Sequence, residues 1–270
     1  MGENNSTCKR VTPVFRELKK LPSSSWLERL LQLLQFGSPK HLSGLDFCPI
    51  ELVFEDQENS VKEKSLAPPV ALLFWLICNP EILCASKGGK KILKSADHSD
   101  KRYKLLTGNN EILREALERL RMKNESHGNA SHGWYIFEGE TCPDVYIETS
   151  NLIVVIEGKF TEPEPTRDVE WMPGRHQMLR HLDCAWEIRG SKRVVGLFIV
   201  EGQGGNGDVP ADWQEYTQNT ISPGAIASSL PHRGPDEQKQ IAECFIGVTT
   251  WQHILREFNL SINLAKAVSA

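Results

Sequence analysis

The sequence predicts an α/β protein: a central mixed β-sheet flanked by helices, with a mainly helical N-terminal part. Three observations carry this. Short aliphatic, β-branched runs, Leu152–Glu157 and Arg193–Val200 foremost, have the length of buried strands. They alternate with segments whose apolar residues recur at helical spacing, the sign of helices covering a sheet. The 270 residues, 40% hydrophobic and 24% charged, have the composition of a globular chain. That length suits one large domain or two small ones.

Residues 1–22 are polar and basic and read as a loose lead-in. Ser23, Ser24 and Ser25 offer N-caps to a helix carrying Trp26, Leu27, Leu30, Leu31 and Leu34. Pro49 to Asp56 reads as a short strand, Gln57 to Ser65 as a charged loop, and Pro68-Pro69 opens a buried helix through Cys78. Residues 87–104 are locally basic, with Lys90 and Lys91 among seven cations. They read either as a solvated linker or as a phosphate-contacting patch. A helix follows at about 109–123, then a loop from Gly128 to Gly133 and strand-like runs at Trp134–Phe137, Asp144–Glu148 and Leu152–Glu157. A helix from Pro173 to about 188 shows the stripe Met178, Leu179, Leu182, Ala185 and Trp186. Beyond the strand Arg193–Val200 come a glycine loop, short helices near Asp212 and Glu237–Glu243, a strand Phe245–Thr249 and a helix to about Phe258. The composition shift near residue 100 divides the chain into a mainly helical extension, 1–104, packed on a core, 105–270.

The formal net charge is −4, so nucleic acid would have to be met by a local patch rather than by bulk charge. Seven cysteines without a CxxC pair point to reduced thiols and a cytoplasmic protein. The run Val70 to Cys78 is about half of the ~20 residues a membrane span needs. The N-terminus, with Glu3, Lys9 and Arg10, does not read as a signal peptide.

The chemistry concentrates in Pro143-Asp144 and Glu157-Gly158-Lys159. Glu157 and Lys159 lie two apart on a strand, so their side chains leave the same face. Five apolar residues, Leu152 to Ile156, lead a buried strand into these two charges, which need partners. A two-residue turn at Ser150-Asn151 sets Asp144 directly opposite Glu157, with Cβ atoms about 5 Å apart. The two carboxylates then repel unless a divalent cation sits between them, and oxygen-only ligands favour Mg²⁺ or Mn²⁺. The strings E-x-K and Pro-Asp both recur elsewhere in the chain; only here do they fall on adjacent apolar strands joined by a short turn.

On these residues the chain, over about 105–255, resembles the PD-(D/E)XK nuclease superfamily, with its restriction-endonuclease-like fold. The resemblance implies metal-assisted phosphodiester hydrolysis. Asp144 and Glu157 would hold one or two Mg²⁺, joined by a glutamate from the first core helix. Glu111 and Glu115 are the candidates, and the sequence does not decide between them. Lys159 would orient the attacking water or stabilise the transition state. Arg175, Gln177 and Arg180, on the helix after the E-x-K strand, would bind a neighbouring phosphate or brace the site. Glu138 and Glu140 could reach the same place. The expected partners are nucleic acid, DNA first, and a second copy of the chain in a homodimer, with no membrane. The alternative is a nucleic-acid-binding module that keeps this fold without cleaving, against which the intact Asp144, Glu157 and Lys159 argue.

Other signals are weaker. Gly202 to Asp208 matches G-x-G-x-x-G, but a dinucleotide site needs a helix opening inside the motif and an acid-ended strand beyond it. A surface loop is the better reading. The pairs His176/His181 and His127/His132 are five apart, not the four of a helical zinc pair. Trp171, Trp186, Trp213 and Trp251 read as core.

Overall fold

The structure is a computed structural model that describes residues 7–37, 42–95, 97–125, 133–162, 164–166 and 169–262. The expected loop from Gly128 and the pair His127/His132 lie outside the described residues. A π-helical turn, Thr7–Val11, leads into α1 (Thr12–Leu18) and α2 (Ser23–Gln32), then the short β1 (Phe36–Gly37) and β2 (Glu51–Phe54). Five helices follow: α3 (Val70–Cys78), α4 (Pro80–Ala85), α5 (Lys87–Leu93), α6 (Lys101–Leu106) and α7 (Asn110–Glu125). The hairpin β3 (Val145–Glu148) and β4 (Leu152–Gly158) precedes α8 (Gln177–Ile188) and β5 (Arg193–Val200). The chain continues through α9 (Ala211–Thr220), α10 (Pro223–Ser229), α11 (Pro235–Glu243), β6 (Phe245–Thr250) and α12 (Trp251–Glu257).

The six strands form one mixed sheet in the order β1-β6-β5-β4-β3-β2. The inner strands β4, β5 and β6 are parallel, and β1, β3 and β2 are added antiparallel. Alternation along the strands sorts side chains to two faces. Ile147, Val154, Ile156, Leu197 and Ile199 join Val14, Phe15, Leu27, Trp251 and Ile254 of α1, α2 and α12. Tyr146, Ile153, Val155, Phe198 and Val248 join Met178, Leu182, Trp213 and Ile241 of α8, α9 and α11. A third apolar cluster binds α3, α4, α6 and α7 to Tyr135, Phe137 and Met172. The expected division at 104 follows none of these layers: β1 and β2 extend the sheet, and α7 packs on α3.

Several elements depart from expectation. The lead-in is helical, because Val11, Val14, Phe15 and Leu18 recur at i, i+3, i+4 and i+7 and all are buried. Residues 87–104 are not a linker but carry α5 and α6. No strand forms at 134–137: Arg102 donates to the carbonyls of Trp134 (2.5 Å) and Ile136 (3.4 Å), while Tyr135 and Phe137 are buried in the helical cluster. The helix expected from Pro173 begins at Gln177, since Gly174 takes a left-handed φ of +75°. Cys48, Cys78, Cys84, Cys142, Cys184 and Cys244 are free thiols. No helix among the described residues is long and apolar enough to cross a membrane. Trp186, Trp213 and Trp251 are buried.

Phe15 sits wholly buried between Trp26 and Phe54, ring centroids 6.4 and 6.1 Å away. Phe15→Ala should therefore cost about 3–5 kcal/mol in urea unfolding. A loss below about 1 kcal/mol would remove α1 from the core.

Candidate active site

The β3–β4 hairpin pairs Val145 with Ile156 and Glu148 with Ile153. The turn is Ser150-Asn151, closed by the Thr149 N–H donating to the Leu152 carbonyl at 2.9 Å. One further step of this register sets Asp144 against Glu157, and both fall on the face that carries Ile153 and Val155 toward α8. The Asp144 carboxylate also accepts from the Gly158 N–H at 2.7 Å. Glycine between the glutamate and the lysine is a packing requirement: a Cβ at Gly158 would lie 2.8 Å from both Trp251 and Val11. The Lys159 backbone is fixed as well, its N–H donating to Ile199 (2.8 Å) and its carbonyl accepting from the Trp251 indole (2.9 Å).

Glu157 is 4% exposed and accepts at both oxygens. Lys159 Nζ (2.8 Å) and Gln177 Nε2 (2.7 Å) donate to Oε1, and Lys159 also donates to Gln177 Oε1 at 3.1 Å. His181 Nε2 lies 3.0 Å from Oε2, and its Nδ1 is 2.9 Å from the Thr141 hydroxyl. Gln177 and His181 are four apart on α8, so they present one face to the carboxylate.

A third carboxyl comes from Glu63, in the segment between β2 and α3. An antiparallel bridge joins Leu66 to Thr141 through hydrogen bonds of 2.8 and 2.9 Å. Continued three residues, that register sets Glu63 against Asp144, and the two side chains are hydrogen-bonded. Burial, followed by the charges of Glu55 and Glu157, pushes Glu63 up to about 7. Burial and then the Glu157 charge push Asp144 well above the usual carboxylate range. A hydrogen bond between two carboxyls requires a proton on one of them. Burial also opposes ionisation of Glu157, but His181 and Lys159 outweigh it and hold that carboxyl below its ordinary value. Burial opposes the Lys159 charge too; Glu157 and Asp144 outweigh it, so the ammonium titrates above its ordinary value.

The other expected site residues lie elsewhere. Glu115 is held by Lys101 (2.6 Å) and Arg119 (3.0 Å), and Glu111 is exposed near the start of α7. Neither is among the groups that surround Asp144 and Glu157, whereas Glu63 is. Arg175 cannot meet a phosphate: it is fully buried, paired with Glu138 (3.2 Å) and Asp183 (3.0 Å) and donating to the Ser229 carbonyl. Arg180 pairs with Glu138 at 2.6 Å and donates to the carbonyls of Gly139 and Glu140, so it braces the 138–140 loop. Glu138 is thus buried in an ion network, whereas Glu140 is exposed and bonded by Ser65. Lys90 and Lys91 are exposed on α5. Lys101 and Arg102, from the same basic stretch, are half-buried and bonded to Glu115 and to the Trp134 carbonyl.

A polar cavity of about 310 Å³ adjoins Lys159 and is walled by Glu162, Glu201, Asp212 and Trp213. A larger, more apolar groove of about 680 Å³ lies along β1 and β6 and is not lined by any of the three carboxylates or Lys159. Loop 202–208 closes through a Gln203–Asp208 bridge before α9 starts at Ala211, so no helix opens inside its glycine motif. Comparisons with protein-family models, with curated proteins and with solved structures give no match.

Glu63 makes stability depend on pH with a definite sign. Its folded value, about 7, exceeds its ordinary 4.5, so its contribution is complete below about pH 4.5 and is lost as pH rises through about 7. In EDTA, the melting temperature of the wild type should fall more steeply between pH 5 and 8 than that of Glu63→Gln. Parallel profiles would show that the Glu63 carboxyl is not forced to share the site.

Proposed function

We propose that the chain is a metal-dependent phosphodiester hydrolase acting on nucleic acid, DNA first, on a restriction-endonuclease-like core. The observation that carries this reading is the register of one hairpin: Asp144 opposes Glu157, and Lys159 donates to Glu157 on the same face. Glu63 makes the acidic set three.

The donor set fits a hard divalent cation. It consists of carboxylate oxygens alone, which suits Mg²⁺ or Mn²⁺, and two of its members are pushed up by burial and by neighbouring negative charge. Among the described residues no three His, Cys, Asp or Glu are already gathered into a set that could hold a metal ion; the carboxyls are closed on one another and on Lys159 by hydrogen bonds. Asp144, Glu157 and Glu63 would hold the cation, the protons on Glu63 and Asp144 leaving as it binds. When bound, it supplies charge neutralisation at the scissile phosphate and acidifies a water molecule.

The protein's own groups divide the remaining work. Lys159 donates to Glu157 and to Gln177, which is the position of an ammonium that stabilises charge. Its charge is held by Glu157 and Gln177, where it can stabilise negative charge that grows on phosphate oxygens during attack. Gln177 spans Lys159 and Glu157 and keeps the two from separating. Arg175 and Arg180 act indirectly, fixing Glu138 and the loop that leads to Thr141.

The purified protein should degrade DNA with Mg²⁺ and stop with EDTA, and Asp144→Asn should abolish both the activity and the rise in melting temperature that Mg²⁺ gives. An unchanged Mg²⁺ response in Asp144→Asn would place the metal elsewhere. Lys159→Ala should cut single-turnover cleavage by roughly 10² while leaving substrate binding in Ca²⁺ nearly unchanged. Lower affinity with an intact saturated rate would make Lys159 a phosphate anchor instead.

A further inference from the structure

His181 belongs neither to the acidic set nor to the lysine that stabilises charge, yet it is the group that meets Glu157 Oε2. Its side chain is 1% exposed and lies between two partners, with Nε2 3.0 Å from Glu157 Oε2 and Nδ1 2.9 Å from Thr141 Oγ1. The carboxylate can only accept, so Nε2 carries a proton whatever the charge on the ring. Thr141 can accept from Nδ1 or donate to it, so the chain of bonds is satisfied in either state.

We infer that His181 is a positioning residue for Glu157, and that with Thr141 it sets which carboxylate lone pairs remain for a cation. Lys159 and Gln177 both approach Oε1, so the free capacity of Glu157 lies mainly at Oε2. An N–H on one side of Oε2 directs the other lone pair and holds the carboxylate plane against rotation. The bonds also have a rigid origin. His181 is on α8, one turn from Gln177, and Thr141 is held to Leu66 by the same bridge that sets Glu63 against Asp144. The Thr141–His181–Glu157 chain thereby ties the carboxylates of β4 and of the Glu63 segment to one helix. Partners of this kind, one bond removed from a metal, typically change its affinity by roughly 10- to 100-fold.

The inference rests on the metal-dependent reading of the site, and Mn²⁺ affinity followed by electron paramagnetic resonance tests the two apart. His181→Met keeps bulk and loses the donor; His181→Gln places an amide N–H near the position of Nε2. His181→Met should weaken Mn²⁺ binding roughly tenfold or more, and His181→Gln should recover most of that loss. Thr141→Val removes only the outer hydroxyl and should give a smaller loss in the same direction, which preserves the test if His181→Met fails to fold. Wild-type Mn²⁺ affinity in Thr141→Val and in a folded His181→Met would overturn the role of His181 and leave the metal site standing. Loss in His181→Gln equal to that in His181→Met would reduce His181 to packing. Absence of Mn²⁺ binding by the wild type would overturn both readings.

Discussion

Asp144 and Glu157 face each other at the end of a hairpin whose β4 residues are all buried, where water cannot screen like charges. In such surroundings two carboxylates cannot both stay ionised without compensation. The rest of the site follows from that constraint. Glu157 remains the anion because Lys159, Gln177 and His181 converge on it. Asp144 receives the Gly158 N–H and shares a hydrogen bond with Glu63, which requires the pair to hold a proton. A buried cluster of this kind is poor material for stability alone, since apolar residues would fill the space at lower cost. Such a cluster is what a binding or catalytic site would require.

The fold supplies the rigidity. β4 lies between β3 and β5, and helices cover both faces of the sheet, so the strand that carries Glu157 and Lys159 cannot slip by one residue without turning every side chain to the wrong face. The N-terminal turn and α12 close on the far side of Gly158, through Val11 and Trp251. Arg10 pairs with Glu201 and lies 3.9 Å over the Phe160 ring, clamping the chain just past the lysine. On the other side the buried Arg175, held by Glu138 and Asp183, anchors the segment before α8.

Much of this was legible in the sequence because it depends on local spacing. The turn at Ser150-Asn151, the opposition of Asp144 and Glu157 and the shared face of Lys159 all follow from a two-residue period and a short loop. The strand Arg193–Val200 has the bounds its aliphatic run suggested. Glu63 was not legible, because one isolated bridge at Leu66 leaves no periodic trace and a charged loop hides its one inward carboxyl. The resemblance points to a helix glutamate, Glu111 or Glu115, but Glu115 is consumed by Lys101 and Arg119. His181 did leave a signal, its spacing of four from Gln177. For Arg175 the sequence leaves phosphate ligand and brace both open, because it cannot tell an exposed guanidinium from one that is buried and paired.

On the proposed reading a cation displaces the protons that Glu63 and Asp144 hold in its absence. The most direct measurement is calorimetric titration of Mn²⁺ into the protein near pH 6, repeated in buffers of different ionisation enthalpy. More than one proton should be released per bound ion, with the share from Glu63 shrinking above its titration near 7 and absent from Glu63→Gln, which keeps the release from Asp144. Binding without proton release, or the same release from Glu63→Gln, would contradict it.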